Sequence, residues 1–478
     1  MPLPILSVAE VRDWENRTWG AGVAVESVMD RAGQAIARLA MRLTQSGDRI
    51  LLLAGKGNNG GDTRIAAEYL SDRNSAVVGI EDPGDSLGQL KESLGANPAL
   101  IVDGLFGIGL NRDLSIEWQK IIAQINSAGV PVLSIDCPSG LDADTGHHRG
   151  AAVKAAVTLA LGSVKAGLLA ASATEHIGRL RVASDIGLVN PAPEAGSYWV
   201  AEGDMRGVRS KRCENSHKGD HGYVAIIAGS TGYHGAALLA ARASLRAQPG
   251  LVSVYTPAYQ PVAAQCQSVM VHPWGKESIE PLSRATALVA GPGLAAPHIE
   301  ETLRNTVRNL WEHSNNPMLI DASALRWIRE CKPNTEAFRL LTPHPGEAAM
   351  LLDCSVSEIE SDRLSAARNI ADRYRSTVIL KGRHTVMAQS TGPALVNSTG
   401  NAGLAQGGSG DVLAGYIGGL LAQPEFKGRE IQAAMYAVWK HGWAADQLSV
   451  DEGYWGMDDL IEQLGKHEFS LKNRHFYA

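Results

Sequence analysis

A glycine-rich stretch in the C-terminal half combines the features of an anion site with a carboxylate that such a site would normally repel. Residues 407–411 read Gly-Gly-Ser-Gly-Asp, and the apolar residues 412–417 that follow are typical of a helix. Backbone N–H groups at a helix N-terminus approach a phosphate closely when glycines leave the backbone bare. A carboxylate is useful there if it accepts the proton of a substrate hydroxyl, so Asp411 is a candidate general base. The open alternative is an ordinary N-cap aspartate with glycines that only form a turn.

A second glycine-rich stretch, at residues 55–62, reads Gly-Lys-Gly-Asn-Asn-Gly-Gly-Asp. It follows a short apolar run at residues 50–54, which is typical of a buried parallel strand, and a helix is predicted after it through Leu70. The stretch matches neither the dinucleotide fingerprint nor the Walker A sequence. Its amide and carboxylate oxygens suit a ribose, an amide or a hard cation better than bare phosphate. The alternative is a plain turn, because Asn-Gly pairs are common turn formers.

Two further strands predicted in the N-terminal half end in aspartate. Residues 99–102 precede Asp103, and residues 130–135 precede Asp136. Parallel strands place their carboxyl ends at one edge of the sheet, where ligands of α/β folds bind. Both aspartates and the Asn58-Asn59 pair are therefore expected to meet at one site.

The C-terminal half repeats this pattern of buried strands followed by polar turns. Strands are predicted at residues 223–228, 288–290, 318–320, 340–341 and 378–380, with a helix at 235–246. Asp321 and Lys381 stand directly after two of these strands. Alternating strands and helices predict an α/β protein, and these strand ends together with residues 407–411 predict one cleft.

The length of 478 residues predicts two or three domains. Residues 187–197 have linker composition, including Pro191 and Pro193, and a basic cluster follows at Arg206, Arg209, Lys211 and Arg212. We therefore expect a junction near residues 188–208, between one domain at residues 1–205 and another at residues 206–478.

Composition places the chain among soluble globular proteins, with 45% hydrophobic and 20% charged residues. A net charge of -6 argues against a nucleic-acid partner. The five cysteines show no CxxC spacing, so neither a disulfide framework nor a zinc site is expected, and cytoplasm is the expected location. Lys154 and Lys165 interrupt the alanine-rich residues 151–173, and no signal peptide is recognisable, so we expect no membrane association. A homo-oligomer is expected.

Three motifs of the first half resemble the NAD(P)H-hydrate epimerase domain family. They lie at residues 58–62, 102–110 and 134–142. The resemblance implies a Rossmann-like three-layer domain that interconverts the R and S epimers of hydrated NADH or NADPH. It also implies a potassium ion bound by Asn59, Asp103 and Ser139, and it makes Asp136 the candidate acid/base. The residues implied in binding the hydrate are Asn58, Asn59, Gly60, Gly61, Asp62, Gly107, Ile108, Gly109, Leu110, Asn111, Arg112, Asp113 and Asp136.

The chain departs from this family directly after Asp62. The family usually continues with glycine and an aromatic residue, whereas Thr63 and Arg64 stand here. A β-branched residue narrows the backbone options at a helix start, and the arginine adds bulk and charge. We therefore expect these two residues to affect the epimerase pocket.

The second half resembles the ribokinase-like α/β fold and, within it, the NAD(P)H-hydrate dehydratase family. The matching motifs lie at residues 215–222, 291–294, 342–347, 380–382 and 401–413. The resemblance implies that ADP, or ATP in eukaryotes, phosphorylates the 6-hydroxyl of the S-hydrate, so that phosphate leaves and NAD(P)H is restored. Asp411 would accept the hydroxyl proton, and Mg²⁺ would accompany the nucleotide. The nucleotide would contact Lys381, Gly382, Arg383, His384, Thr385, Gly408, Ser409 and Gly410, and the hydrate would contact Ala236, Gly293, His344 and Asp411.

Ordinary structural interpretations remain open for two of these residues. His344 lies between two prolines and could simply hydrogen bond to the backbone of a turn, while Lys381 could be a solvated charge at a strand end. Three functions are weighed for the whole chain: a two-headed repair enzyme, a kinase of a small alcohol with a non-catalytic N-terminal domain, and a binding protein whose pockets are relics. The polar strand ends in both halves favour the repair enzyme.

Overall fold

A computed structural model describes residues 2–190, 192–210, 212–451 and 453–466 of the chain. They form two compact units, one of residues Leu3–Ser197 and one that begins at Tyr198. The division falls inside residues 188–208, where the sequence predicts a junction. Pro191 and Lys211, two residues on which that prediction draws, lie outside the described residues.

The N-terminal unit alternates strands with helices. Its strands are β1 (Leu3–Leu6), β2 (Arg49–Ala54), β3 (Asn74–Gly79), β4 (Leu100–Gly104), β5 (Val132–Ile135), β6 (Val157–Leu161), β7 (Val164–Lys165) and β8 (Arg179–Ala183). Its α-helices are α1 (Val8–Gly20), α2 (Val25–Arg42), α3 (Asn58–Glu68), α4 (Pro83–Gly95), α5 (Ile116–Ser127) and α6 (Thr174–Ile177), and 3₁₀ turns cover Ala166–Leu169 and Ala171–Ala173.

The main sheet of this unit is parallel, in the order β3-β2-β4-β5-β6-β8. The chain leaves β2 for β3 on one side and returns to β4 on the other side, which opens a crevice at the carboxyl ends of β2 and β4. Both strands are buried on both faces, which explains the apolar runs at residues 50–54 and 100–102. Strand β1 pairs in parallel with β7, with Leu6 opposite Lys165.

Helix α2 packs on the main sheet through one apolar face. Its buried residues include Val28, Ala32 and Ile36, which recur at helical spacing and lie on one face. Ile36 packs with Leu52 and Leu100 of the sheet. The apolar face of α2 therefore covers the strands that carry the site.

The second unit follows the same principle with a longer sheet. Its strands are β9 (Ser197–Val200), β10 (Tyr223–Ile227), β11 (Leu251–Thr256), β12 (Met270–Pro273), β13 (Ala287–Ala290), β14 (Met318–Ile320), β15 (Arg339–Leu341), β16 (Thr377–Leu380), β17 (Val386–Ala388) and β18 (Ala394–Asn397). Its α-helices are α7 (Glu202–Met205), α8 (His234–Ala247), α9 (Tyr259–Gln265), α10 (Ile279–Ser283), α11 (Glu301–His313), α12 (Pro345–Leu352), α13 (Val356–Ser361), α14 (Arg363–Tyr374), α15 (Ser409–Leu421), α16 (Glu430–Asp451) and α17 (Met457–Leu464). The 3₁₀ turns are Lys218–His221, Lys276–Ser278, Ala322–Arg326, Ala402–Leu404 and Pro424–Phe426.

Strands β12-β11-β10-β13-β14-β15-β16 are neighbours in that order and parallel, while β17 and β18 continue the sheet as antiparallel strands. The chain passes from β10 to β11 on one side and later to β13 on the other, so a crevice opens after β10 and β13. The loops after these two strands are joined there, because Gly229 N donates to Pro292 O at 2.8 Å.

Glycines let helix α15 lie directly against helix α8. A Cβ atom on Gly415 would come within 2.0 Å of Ala240 O, and one on Gly419 within 2.6 Å of Ser244 O. Neither position therefore tolerates a side chain unless the helices separate. This close contact fixes the direction in which the N-terminus of α15, with its Gly-Gly-Ser-Gly-Asp sequence, faces the cleft.

Within the described residues, no helix is both long enough and apolar enough to cross a membrane. The alanine-rich residues 151–173 form strands β6 and β7 and short 3₁₀ turns.

Candidate active sites

Asn59 ties together the strand ends of the N-terminal crevice. Helix α3 begins at Asn58, so the predicted glycine-rich loop is shorter than expected and residues 58–62 form the first turns of the helix. Asn59 Nδ2 donates to Phe106 O at 2.8 Å and to Ile135 O at 3.0 Å. Its Oδ1 is buried and has no hydrogen-bond partner among the described residues. An unsatisfied buried oxygen of this kind is unusual and indicates space for a ligand.

Asp103 and Ser139 form the second part of the same crevice. Asp103 is fully buried, and its Oδ2 accepts hydrogen bonds from Ser134 Oγ at 2.8 Å and Ser139 N at 2.9 Å. Ser139 Oγ donates to Asp103 Oδ1 at 2.5 Å and accepts from Phe106 N at 2.9 Å. Burial raises the pKa of Asp103, whereas the hydrogen bonds from Ser139 and Ser134 oppose that rise. The predicted convergence of these strand ends is thus present.

Asp136 is held by a buried lysine. Its φ of 65° lies in the left-handed region, which is unusual for a residue other than glycine. Asp136 Oδ1 forms an ion pair with Lys165 Nζ and accepts from Leu161 N at 3.2 Å. Its Oδ2 lies 3.6 Å from the position of a Cβ atom on Gly107, so it faces the loop of residues 107–113 that is predicted to contact substrate. Sequence reasoning did not identify Lys165 as part of the site.

Two more carboxylates share the electrostatic environment of Asp136. Burial, together with the negative charges of Asp136 and Glu15, raises the pKa of Asp62 to about 8. Burial and Asp136 also raise the pKa of Glu15, which belongs to helix α1. Glu15 was missed from the sequence, because no motif links an N-terminal helix to a distant strand end.

The loop at residues 107–113 lies between β4 and α5, as expected for a ligand-binding loop. Ile108 packs against a cluster containing Leu6, Val11 and Trp14, which anchors the middle of the loop to the N-terminal strand and helix. Leu110 packs on a second cluster with Leu114. The remaining polar residues of the loop, Asn111, Arg112 and Asp113, are exposed.

Thr63 and Arg64 have clear structural positions. Thr63 is buried, donates its hydroxyl proton to Asn59 O at 2.8 Å and lies against Gly104, where a Cβ atom would collide with its Oγ1. Arg64 Nη1 donates to Gly55 O at 3.1 Å. The threonine therefore supports Asn59 from within the helix, and the arginine braces the turn that precedes the helix.

Asp411 occupies the third position of helix α15 and does not cap it. The N-cap is Gly408, whose φ of 95° requires the left-handed region, and no side chain caps the helix. The alternative interpretation of Asp411 as an N-cap residue is therefore wrong. Ser409 N donates to Gln406 O at 3.3 Å, a long bond, and the rest of the first turn presents N–H groups by helix geometry.

Lys381 stands between two carboxylates next to this helix start. Its Nζ lies 2.7 Å from Asp321 Oδ1 and 4.0 Å from Glu347 Oε2, and its side chain is 19% exposed. Burial alone would lower the pKa of Lys381, but Asp321, Glu347 and Asp411 together raise it. The interpretation of Lys381 as a solvated strand-end charge is therefore wrong. Asp321 is fixed by Thr342 Oγ1, which donates to Asp321 Oδ1 at 2.8 Å.

The environment of Asp411 is suited to proton transfer near neutral pH. Burial and the charge of Asp321 raise the pKa of Asp411 to about 7, Lys381 opposes the rise, and Glu347 adds to it. Gly410 exposes its backbone to Lys381 and Asp321. A Cβ atom on Gly410 would lie 3.2 Å from Lys381 Nζ and 3.8 Å from Asp321 Oδ2. Asp411, Lys381 and Asp321 are thus brought together around a small bare patch of backbone.

Ala236 and Gly293 pack closely together beside the crevice after β10 and β13. A Cβ atom on Gly293 would lie 2.8 Å from Ala236 Cβ and 2.4 Å from Tyr233 O, and the φ of Gly293 is 65°. A Cβ atom on Gly291 would come within 1.8 Å of Asp321 O. The glycines are therefore required for chain packing as well as for any ligand contact.

The side chain of His344 hydrogen bonds to the backbone of its own turn, as its structural interpretation predicts. It is the N-cap of α12, and its Nδ1 accepts hydrogen bonds from Gly346 N at 3.0 Å and Glu347 N at 3.3 Å. Its Nε2 lies 3.5 Å from Glu347 Oε1, and 56% of the side chain is exposed. Contact with the hydrate stays a prediction, which the exposed edge of the ring permits.

Residues 381–385 form a compact turn after β16. Thr385 Oγ1 donates to Gly382 O at 2.9 Å. Gly382, with φ of 142°, would bring a Cβ atom within 2.7 Å of the Arg363 guanidinium. The ring of His384 lies 5.1 Å from that of Trp199, and burial lowers the pKa of Arg383. The charged group that this segment directs toward Gly410 is Lys381.

A buried histidine supports the start of α15 from behind. His441, on helix α16, hydrogen bonds with the backbone of Ser409, and burial lowers its pKa to about 4, so its imidazole is neutral. Its Nε2 is buried without a partner among the described residues. No sequence motif points to His441, because the contact joins residues on separate helices.

Known proteins resemble this chain over both units. A family model described as NAD(P)H-hydrate dehydratase matches residues 224–466, and one described as YjeF-related protein N-terminus matches residues 25–86 and 79–167. The chain is 35% identical to the bifunctional NAD(P)H-hydrate repair enzyme Nnr of Escherichia coli, over 93% of this chain and 89% of that protein. It is 32% identical to the corresponding enzyme of Coxiella burnetii, over 95% of this chain and 97% of that protein.

A solved structure supports the fold of the second unit. A ribokinase-like superfamily protein from Enterococcus faecalis superposes with a TM-score of 0.50 at 24% identity, covering 58% of this chain and 97% of that chain. Two α/β units, each with a mainly parallel sheet and polar residues at its strand ends, are typical of a two-domain enzyme, and the predicted fold class is confirmed. The chain belongs to the family of bifunctional NAD(P)H-hydrate repair enzymes. The predicted repair function is thus supported over the kinase alternative.

Proposed function

We propose that the two activities of the family divide between the units, with the epimerase at residues 1–205 and the nucleotide-dependent dehydratase at residues 206–478. The observation that best supports the dehydratase assignment is the position of Asp411 in the first turn of α15, beside the Asp321–Lys381 ion pair. A carboxylate with a pKa of about 7 at a helix N-terminus suits a base that acts next to phosphate.

Dehydration of the S-hydrate starts at the 6-hydroxyl. Hydroxide is a poor leaving group at neutral pH, whereas phosphate leaves readily. Asp411 accepts the hydroxyl proton while the oxygen attacks the terminal phosphorus of ADP, and AMP departs with the electrons of the broken bond. The new phosphate ester then loses phosphate with its C–O electrons as the ring nitrogen donates its lone pair, and loss of a proton from the neighbouring carbon restores NAD(P)H.

Backbone and cationic groups of the cleft support this transfer. The N–H groups at residues 408–410 bind the transferred phosphoryl group, and Lys381 adds positive charge on the other side of Gly410. We assign the nucleotide to Lys381 and residues 382–385, and the hydrate to Ala236, Gly293, His344 and Asp411. The exposed edge of His344 and the partial exposure of Ala236 and Gly293 support the hydrate contacts.

Mg²⁺ fits a role as a companion of the nucleotide. Within the described residues, no group of three or more His, Cys, Asp or Glu side chains is arranged to bind a metal ion. Mg²⁺ commonly keeps most of its ligands from phosphates and water and takes one or two from carboxylates. Asp321 and Glu347 are the carboxylates that would supply such ligands, and the ion would neutralise phosphate charge during transfer.

The residues of the N-terminal crevice fit K⁺. Asn59 Oδ1 is buried and has no partner among the described residues, so it is free to bind a cation, and Asp103 and Ser139 present further oxygens to the same crevice. We propose that Asn59, Asp103 and Ser139 hold K⁺, which would balance the Asp103 charge. Residues 58–62 and 107–113 bind the hydrate, and Asp136 is the acid/base at the epimerised centre.

The direct test offers purified protein a mixture of R- and S-hydrates, first with ADP and then with ATP, while dihydronicotinamide absorbance is followed. Complete conversion with one nucleotide supports both activities and identifies the donor. Conversion of half of the mixture would remove the epimerase assignment. A stable phosphorylated product without NAD(P)H would instead favour the kinase of a small alcohol.

We also propose the partners, cellular location and oligomeric state of the enzyme. Its substrates are small molecules, hydrated NADH or NADPH and ADP, and the net charge of -6 offers no support for nucleic-acid binding. Among the described residues, all five cysteines are free, which suits a reducing cytoplasm. A homo-oligomeric state remains a prediction, which light scattering on purified protein would test.

A further inference from the structure

Lys165 lies buried behind the aspartate that we propose as the acid/base of the epimerase. Only 1% of its surface is exposed, and its ammonium group pairs with Asp136 Oδ1. Nζ also donates to Leu161 O at 2.7 Å and to Ser163 O at 3.2 Å. An ammonium group has three N–H donors, and here each has an acceptor within the protein. Lys165 therefore has no donor left for a substrate.

The bonds of Lys165 divide the two oxygens of Asp136 into separate roles. Oδ1 accepts from Lys165 and from Leu161 N, at 3.2 Å for the latter. Oδ2 faces Gly107, at 3.6 Å from the position of its absent Cβ, and thus faces the proposed substrate loop. The left-handed backbone of Asp136 is strained for an aspartate, and strain of this kind persists only where surrounding contacts enforce it.

Electrostatics give a second reason for a lysine at this position. The negative charge of Asp136 raises the pKa of Asp62 and of Glu15, whereas the positive charge of Lys165 lowers the pKa of Glu15. Lys165 places a positive charge directly beside Asp136 in this poorly solvated space. A buried ion pair adds little to stability on average, so a structural role alone explains this lysine poorly.

We propose that Lys165 is a positioning residue of the epimerase, which holds the Asp136 carboxylate so that Oδ2 alone points at the substrate. The inference rests on the proposed role of Asp136. Lys165 acts through that carboxylate and never touches the hydrate. Its loss should therefore lower turnover and leave the apparent affinity for substrate almost unchanged.

The test compares Lys165→Met, Lys165→Arg and the control Lys154→Met in the full-length chain. Lys154 is an exposed lysine of the same segment. R-to-S conversion is measured with the unaltered dehydratase unit of each variant chain as the reporter, at saturating ADP, and far-UV circular dichroism with thermal unfolding checks the fold. If wild-type protein shows no R-to-S conversion, the proposed epimerase function is wrong. If wild type converts the substrate but the Lys165 variants behave like wild type, only the role of Lys165 is wrong.

Lys165→Met should lower kcat by about 100-fold while KM changes by less than about threefold, as expected for loss of an aligned acid/base. Lys165→Arg keeps the charge and should recover about tenfold of that loss. Lys154→Met should behave as wild type. A Lys165→Met enzyme with wild-type kcat, or one altered only in KM, would overturn the proposal. If Lys165→Met does not fold, Lys165→Arg decides, because a kcat equal to that of wild type would then exclude a positioning role.

Discussion

Lys381 Nζ lies 2.7 Å from Asp321 Oδ1, although sixty residues separate the two in the chain. The pair joins the carboxyl end of β14 to that of β16, next to the glycine at the second position of α15. Because Asp321 is also held by Thr342, the lysine has a fixed position before any nucleotide binds. The cleft is therefore organised in advance for a phosphate, as electrostatic catalysis requires.

The raised pKa of Asp411 predicts an acid limb in the pH profile of the dehydratase. The reaction requires Asp411 in its deprotonated form, and the pKa of Asp411 is about 7 before substrate binds. The value of kcat/KM for the S-hydrate should therefore fall about tenfold for each pH unit below 7. Initial rates between pH 5 and pH 9 at fixed ADP would measure this, and a flat profile below pH 7 would contradict the assignment.

Replacing Asp411 with asparagine should remove the base and keep the shape of the side chain. We expect kcat of the dehydratase to fall by at least about 100-fold, since aligned proton acceptors contribute factors of this size. ADP binding, measured by calorimetry, should stay near that of wild type, because backbone N–H groups hold the phosphate. Near-normal turnover in Asp411→Asn would show that another group takes the proton.

Asp136→Ala should separate the two activities. R-to-S conversion should stop, whereas dehydration of pure S-hydrate with ADP should proceed at the wild-type rate, because the two reactions use different units. The measurement follows each reaction in the same preparation. An equal fall of both rates would show that the division of labour between the units is wrong.

Potassium should act through Asn59. Because its Oδ1 is buried and lacks a partner among the described residues, a bound cation should stabilise the N-terminal unit. We expect KCl, compared with LiCl at equal ionic strength, to raise both the unfolding temperature and the epimerase rate. Asn59→Ala should abolish the difference between the two salts. If wild type already responds equally to both, the crevice has no specific K⁺ site.

Gly415→Ala should disturb the dehydratase from a distance. Its new methyl group would meet Ala240 O at 2.0 Å and force helices α8 and α15 apart. Overpacking of this kind costs about 1–3 kcal/mol, so the unfolding temperature of the C-terminal unit should drop. Gly235→Ala is the matched control, because no atom lies within 4 Å of its Cβ position. Equal stability of the two variants would contradict the proposed close packing.

The sequence predicted the strand ends of both units well and their side-chain contacts poorly. Asp103, Asp136 and Asp321 follow apolar runs, and runs of this kind are a local signal that a single sequence contains. The partners Lys165 and Lys381 reach their aspartates from distant positions, so no spacing rule reveals these contacts.

Local propensity also misplaced the start of one helix. The Asn-Asn-Gly-Gly sequence favours a turn, but α3 begins at Asn58 because Asn59 is held by Phe106 O and Ile135 O. Tertiary contacts of this kind override the intrinsic preference of asparagine and glycine. The interpretation of Asp411 as an N-cap residue is wrong because Gly408 occupies the N-cap position, which places Asp411 inside the first turn of α15.

The most direct test of the account supplies pure R-hydrate and ADP with Mg²⁺ to the wild-type chain and counts the products. Conversion requires the N-terminal unit to invert the substrate and Asp411 to start its dehydration. We predict full recovery of dihydronicotinamide absorbance with one AMP and one phosphate released for each NAD(P)H formed. Persistence of the R-hydrate beyond its uncatalysed epimerisation, or NAD(P)H formed without AMP, would contradict it.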